Sequence, residues 1–194
     1  MNYISDILYW ISTGLLVPVI ILLILLFGRA LLLIGSFFGQ YLAVRKTETQ
    51  LKQEFDSLNK ENVATMGERM PQKAEVLVVI YIKKMLMYKD SEPHLQKLLS
   101  DFEIATEADL ATSKTLAKMG PMLGLMGTLI PMGPALVGLA AGDIASMAYN
   151  MQVAFATTVV GLFSAAIGFI TGQVKARWYQ HDKVNLQFLA DLLC

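Results

Sequence analysis

Cysteine is almost absent: Cys194, the final residue of a 194-residue chain, is the only one, which excludes an intrachain disulfide. Histidine is nearly as scarce, and His94 and His181 have no cysteine near them. A zinc site needs three or four converging ligands, so no metal is expected. Neither charge sign is in excess, with 16 basic against 16 acidic residues. Residues 45–118 hold 12 of each. Without a basic field to meet phosphates, a nucleic-acid partner is excluded. No nucleophile with a base in reach, no glycine-rich phosphate loop and no pair of acids within an apolar stretch stands out, so neither an enzyme nor a cofactor is expected. Charge as a whole is thin, at 16% of residues, against roughly 25% in an ordinary soluble domain.

What fills the chain instead is apolar, at 55%, and it is arranged in three windows. Between Ile7 and Val44 the only charge is Arg29, Met119 to Gly142 has none, and from Ile144 the next charge is Lys175. A bilayer core of ~30 Å takes about 20 helical residues. The windows therefore predict membrane helices at 13–37, 119–140 and 151–173. A cleaved secretion signal would carry a basic start and an apolar core of only ~7–15 residues. Residues 1–28 contain no Lys or Arg and the run is longer, so the first window reads as a retained span. Basic residues collect on the cytoplasmic side. Twelve lie between the first and second windows and three follow the third, while residues 1–12 and the connector 141–150 have none. The expected topology places 1–12 outside, a domain at 38–118 in the cytoplasm, 141–150 outside and 174–194 in the cytoplasm, within a cell's inner membrane. Arg29 either serves as a charge relay or counter-ion, or reaches toward headgroups or a neighbouring chain.

The cytoplasmic segment reads as helix rather than strand. Leu51, Phe55 and Leu58 fall at helical spacing, with Glu48 four residues ahead of Lys52. A break is expected at Met66–Pro71, then an apolar helix over Val76–Met87. Asp90-Ser91-Glu92-Pro93 has the chemistry of a short helix's start. Ser100-Asp101-Phe102-Glu103 fits a capping box that begins the next helix, which then runs into the second span without a stop before Gly120. Trp178, Val184, Phe188 and Leu192 carry the third span's helix onward. The fold class is an all-α integral membrane protein with three spans and a helical cytoplasmic domain.

Spans two and three each carry a stripe of small residues. In the second, Gly124, Thr128, Pro131, Ala135 and Gly138 share one helix face, and Gly120 adds a GxxxG step. In the third, Ala154, Thr158, Gly161, Ala165, Gly168 and Gly172 do the same. Lipid supplies no hydrophobic drive between helices, so close association depends on such residues. Two readings stand at this point: the stripes pack the two spans together as a hairpin, or they face inward in an assembly and line a pore or a sleeve for another helix. Thr128 and Thr158 bring hydroxyls that can hold an ion or water, with Thr157 one step round serving a neighbouring face. Each could equally bond its own backbone four residues back.

Gly120-Pro121-Met122-Leu123-Gly124-Leu125-Met126-Gly127-Thr128 resembles the APLLGLLGT stretch of the MotA/TolQ/ExbB proton channel family. Ala154-Phe155-Ala156-Thr157-Thr158-Val159-Val160-Gly161-Leu162 resembles its ALxTTxxGL, in the same order and in the three-span plan of the TolQ/ExbB branch. Three departures stand out. Gly168 replaces a common proline, Pro131 and Pro134 interrupt the second span, and Gln152-Val153 stand where the family often has an acid. The resemblance implies a homo-oligomeric ring, typically of five copies, around two copies of a single-span ExbD/TolR/MotB-like partner whose membrane Asp carries a proton or sodium ion. Ion flow would then drive mechanical work or energised envelope transport. On it, Thr128, Thr158 and Thr157 face the ion path or partner, and Gly124, Pro131, Ala154, Gly161, Ala165 and Gly168 line the pore or pack the helices. A membrane scaffold that uses the stripes for packing alone, and a channel that needs no partner, are the competing classes.

Overall fold

The computed structural model describes residues 2–56, 76–88 and 91–193. Among them stand five helices and no strand: α1 (Asn2–Gly14), α2 (Leu16–Asp56), α3 (Leu77–Met87), α4 (Glu92–Ala140) and α5 (Ile144–Leu193). Asp6–Arg45, Glu92–Ala140 and Ile144–Leu193 are long and apolar enough to cross a membrane. The break expected at Met66–Pro71, and Leu58 of the first stripe, lie outside the described residues.

Residues 2–12, read from the sequence as a short tail, are helical. α1 and α2 meet at Leu15, and Pro18 explains the irregularity, since it has no N–H to donate to the Gly14 carbonyl. Leu15 and Val19 still donate to Ile11 and Leu15 at 3.1 Å, so the helical path barely lapses.

α4 corrects two expectations. The Ser91 start is real: His94 and Leu95 donate to the Ser91 carbonyl at 3.1 Å, and Ser91 Oγ lies 2.8 Å from His94 Nδ1. Pro93 falls in the first turn, where a missing N–H costs nothing. The helix that begins there is not short, and Ser100–Glu103 begins nothing. Ser100 Oγ donates to the Gln96 carbonyl at 3.2 Å, the back-bond of a serine inside a helix. Nor do Pro131 and Pro134 interrupt the second span. With Pro121 they sit inside one continuous helix, leaving the carbonyls of Ala117, Gly127 and Ile130 without their usual i+4 donors.

The turn from α4 to α5 is shorter than the 141–150 connector, and its chemistry shows why. Gly142 adopts a left-handed φ of 75°. Asp143 N–H then reaches the Gly138 carbonyl at 2.8 Å and Gly142 N–H reaches Leu139 at 3.1 Å, closing a Schellman motif. Asp143 at once caps the next helix, its Oδ1 accepting from Ser146 N–H at 3.0 Å. Residues 144–150 are therefore already α5.

The chain divides into two units. One holds residues 1–34 and 112–171. Its buried face on α2 is Val19, Leu23, Ala30 and Leu33, at helical spacing, packed with Leu123 in one cluster and with Leu116 and Ile167 in another. Ile21, Leu22, Ile24, Leu25, Leu31 and Leu32 point outward on the same helix. An apolar exterior over an apolar interior suits lipid. The second unit, residues 35–111 and 172–194, has a core of Val78, Val79, Ile82 and Met85 from α3 against Leu95 and Phe102 of α4 and Leu186 and Leu189 of α5. Tyr81 meets Phe102 edge-on at 5.3 Å. The sequence's apolar markers Val184 and Phe188 are exposed, and Leu186, Leu189 and Ala190 face inward instead.

Candidate functional site

The two stripes meet each other within the chain. A Cβ at Gly120 would stand 2.5 Å from the Gly161 carbonyl oxygen, and one at Gly161 would stand 2.6 Å from that of Gly120. Real Cβ atoms do not approach backbone oxygen so closely, so both positions require glycine. Lower on the seam, a Cβ at Gly168 would lie 2.6 Å from Leu116 Cβ and 2.7 Å from the Ser113 carbonyl oxygen. Gly124 faces the Thr157–Gly161 turn at 3.5 Å. Gly124, Ala135, Gly138, Ala154, Gly161, Ala165 and Gly168 are all buried, and Pro131 is buried fully. Of the residues read as lining or packing, Gly124, Gly161, Ala165 and Gly168 thus meet across the α4–α5 seam of one copy, while Pro131 and Ala154 are buried.

The hydroxyls separate into two kinds. Thr157, expected on a neighbouring face, is buried in the seam, where a Cβ on Gly127 would lie 2.6 Å from its Oγ1. Thr128 and Thr158 are only half-buried. All three donate to their own helix: Thr128 to Leu125 at 2.7 Å, Thr157 to Ala154 at 2.9 Å and Thr158 to Ala154 at 3.1 Å. A hydroxyl that donates to backbone keeps acceptor lone pairs. Thr128 and Thr158 can therefore offer oxygen to a proton donor or cation, whereas Thr157 is sealed. Arg29 is exposed on α2.

Sequence reasoning missed a polar cluster in the second unit. Asp109 Oδ2 accepts both from Lys175 Nζ at 2.9 Å and from Tyr179 OH at 2.6 Å. Lys175, the first charge after the third window, is 3% exposed. Tyr179 lies beyond that window, and burial, followed by its bond to Asp109, holds its phenol protonated well above the usual range. The partners lie 66 and 70 positions apart. The one available sequence signal was the i, i+4 spacing of Lys175 and Tyr179, which puts both on one face of α5.

A family model for the MotA/TolQ/ExbB proton channel family matches residues 82–185, which include both stripes, all three threonines and the Asp109–Lys175 pair. No curated protein matches the chain.

Proposed function

This chain belongs to the MotA/TolQ/ExbB proton channel family, and from that premise we propose that it is the ring-forming subunit of an ion-driven membrane motor. Five copies surround two copies of a single-span partner in the inner membrane, with the N-terminus outside and the C-terminus in the cytoplasm, an orientation supported by the distribution of basic residues. The observation that carries the reading is the pairing of half-buried Thr128 and Thr158 with apolar windows that contain no carboxylate. Such a chain has no titrating acid in the membrane, so an acid must come from the partner. Burial raises that acid's pKa by desolvation, and the two hydroxyls offer oxygen to its protonated form or to the passing proton or sodium ion. Each charge falling through 100 mV releases ~2.3 kcal/mol, and several steps suffice for mechanical work.

The test is ion uptake into vesicles containing both subunits under an imposed potential, with the mass of the assembly measured alongside. Thr158→Val keeps the shape and removes the hydroxyl. Loss of one such bond at the occupied state, about 1–3 kcal/mol, cuts flux about fivefold to a hundredfold. Thr128→Val acts likewise, and the two effects are less than additive because they serve one site. Unchanged flux in both variants with the ring intact overturns the reading. That outcome would favour the scaffold, whose support is the bonding of every one of these hydroxyls back to its own helix.

A further inference from the structure

A cavity of about 190 Å³ lies within the second unit, lined among others by Lys52 of α2 and by Arg177, Trp178, His181, Asp182 and Asn185 of α5. Its chemistry suits an anion. Lys52, Arg177 and His181 can each carry positive charge, against the single carboxylate of Asp182. Asp182 already has a partner within the chain, whereas Lys52 and Arg177 have no hydrogen bond or ion pair among the described residues. Asn185 Nδ2 donates to His181 Nδ1 at 3.2 Å, so a neutral His181 ring keeps its proton on Nε2 and is a donor there. Guanidinium, ammonium and imidazole N–H groups are the donors that phosphate oxygens accept from. Arginine grips two of those oxygens at once, and lysine acts as a point charge.

The same cavity stands where the apolar windows end. Val44, the last residue of the first window, lines it, and Arg177 follows closely on Lys175, the charge that closes the third. Half-buried aromatic rings mark that level. Trp178 stacks on Phe37 at 5.7 Å and lies 5.8 Å from Tyr41, whose ring carries the Arg45 guanidinium at 5.3 Å. Trp and Tyr gather where hydrocarbon gives way to headgroups, and a basic hollow at that depth meets lipid phosphates. The volume is below the ~300–1,000 Å³ of sites that enclose a whole drug-sized molecule, so the cavity suits a headgroup rather than a nucleotide. We propose that it binds the phosphate of an anionic phospholipid from the leaflet on the basic-rich side, with Arg177 and Lys52 as the ligands. Phe37, Tyr41 and Trp178 flank the lipid's glycerol and upper acyl chain. A zwitterionic lipid gains less, because its own cation finds no uncommitted carboxylate on the lining. The inference needs only the membrane spans and stands apart from conduction.

Trp178 reports the site directly because it lines the cavity, and Trp10→Phe leaves it the sole indole. The full-length protein is reconstituted in phosphatidylcholine vesicles that contain a small fraction of lipid brominated high on the acyl chain, a contact quencher of indole. In one series the brominated lipid is phosphatidylglycerol, in the other phosphatidylcholine. Quenching of Trp178 is expected to be several-fold stronger with the anionic lipid at equal fraction, and to saturate while that lipid is still scarce. Arg177→Gln and Lys52→Gln each weaken the preference and together abolish it. Both side chains are exposed, so the variants keep the fold. Lys97→Gln, which removes a charge that is not on the lining, leaves the preference intact. Equal quenching by the two lipids, a preference that survives the double substitution, or one that Lys97→Gln removes as fully overturns the proposal. Inorganic phosphate added at constant ionic strength should leave the quenching unchanged. If it relieves the quenching instead, the ligand is a soluble phosphate and the lipid assignment falls.

Discussion

Gly120 and Gly161 oppose each other across the α4–α5 seam so closely that a methyl group on either would stand within 2.6 Å of the other's carbonyl oxygen. Backbone, unlike a side chain, cannot rotate aside, which fixes the sign of the first prediction.

Glycine to alanine inside a helix ordinarily stabilises by up to ~1 kcal/mol. At Gly120 and Gly161 the substitution should destabilise by about 1–3 kcal/mol through overpacking, read by denaturant unfolding in detergent. Gly28→Ala on α2, where nothing among the described residues lies within 4 Å, supplies the contrast and should be neutral or mildly stabilising in the isolated subunit. A stabilised Gly161→Ala variant would show that α4 and α5 do not approach this closely.

Lys175 is buried while the side chain of its partner Asp109 is 36% exposed, so removing the carboxylate strands the buried member. Asp109→Ala leaves the Lys175 ammonium, 3% exposed, without a carboxylate, and should cost about 1–2 kcal/mol, less than a fully buried pair because solvent reaches the Asp109 side. Replacing both residues by apolar ones of similar size should cost much less. Thermal unfolding of the two singles and the double variant measures the coupling.

Tyr179 gives the fold an alkaline limit. Its phenol is raised in the fold, by burial first and then by its bond to Asp109. The folded state therefore holds the proton more tightly than the unfolded one. The corresponding stability is complete below the ordinary phenol range, near pH 10, and is lost as pH rises above it. Melting temperature against pH should fall less steeply in that alkaline window for Tyr179→Phe than for the natural chain.

Topology has a built-in label. Cys194 is the sole thiol, so a membrane-impermeant thiol reagent should fail to modify it in intact cells and succeed after lysis. Labelling from outside would reverse the proposed orientation.

Much of the fold was legible because charge is expensive in lipid. Windows lacking charge mark the three helices able to cross, and small residues at helical spacing mark the faces of α4 and α5 that touch. Less legible was what those faces touch, since a stripe at Gly161 and Ala165 is the same string whether it meets its own chain or another. The Thr157 and Thr158 pair shows the limit sharply. Adjacent and identical, they differ only in the step of rotation that buries one against Gly127. Helix ends misled for a local reason, because Ser100 with Glu103 satisfies a capping pattern that Ser91 had already made unnecessary. Of the Asp109–Lys175–Tyr179 cluster only the shared face of Lys175 and Tyr179 was legible, as nothing local relates Asp109 to residues 66 positions away.

The three prolines inside α4 have a mechanical consequence. A helix resists bending because flexure stretches its ladder of backbone bonds, and opposite Pro121, Pro131 and Pro134 those rungs are already missing. Flexure at these points breaks nothing further. α4 is thus stiff along 92–120 and compliant through its apolar half, a spring joined to a rod, and displacement applied at one end is partly stored as curvature before it reaches the other.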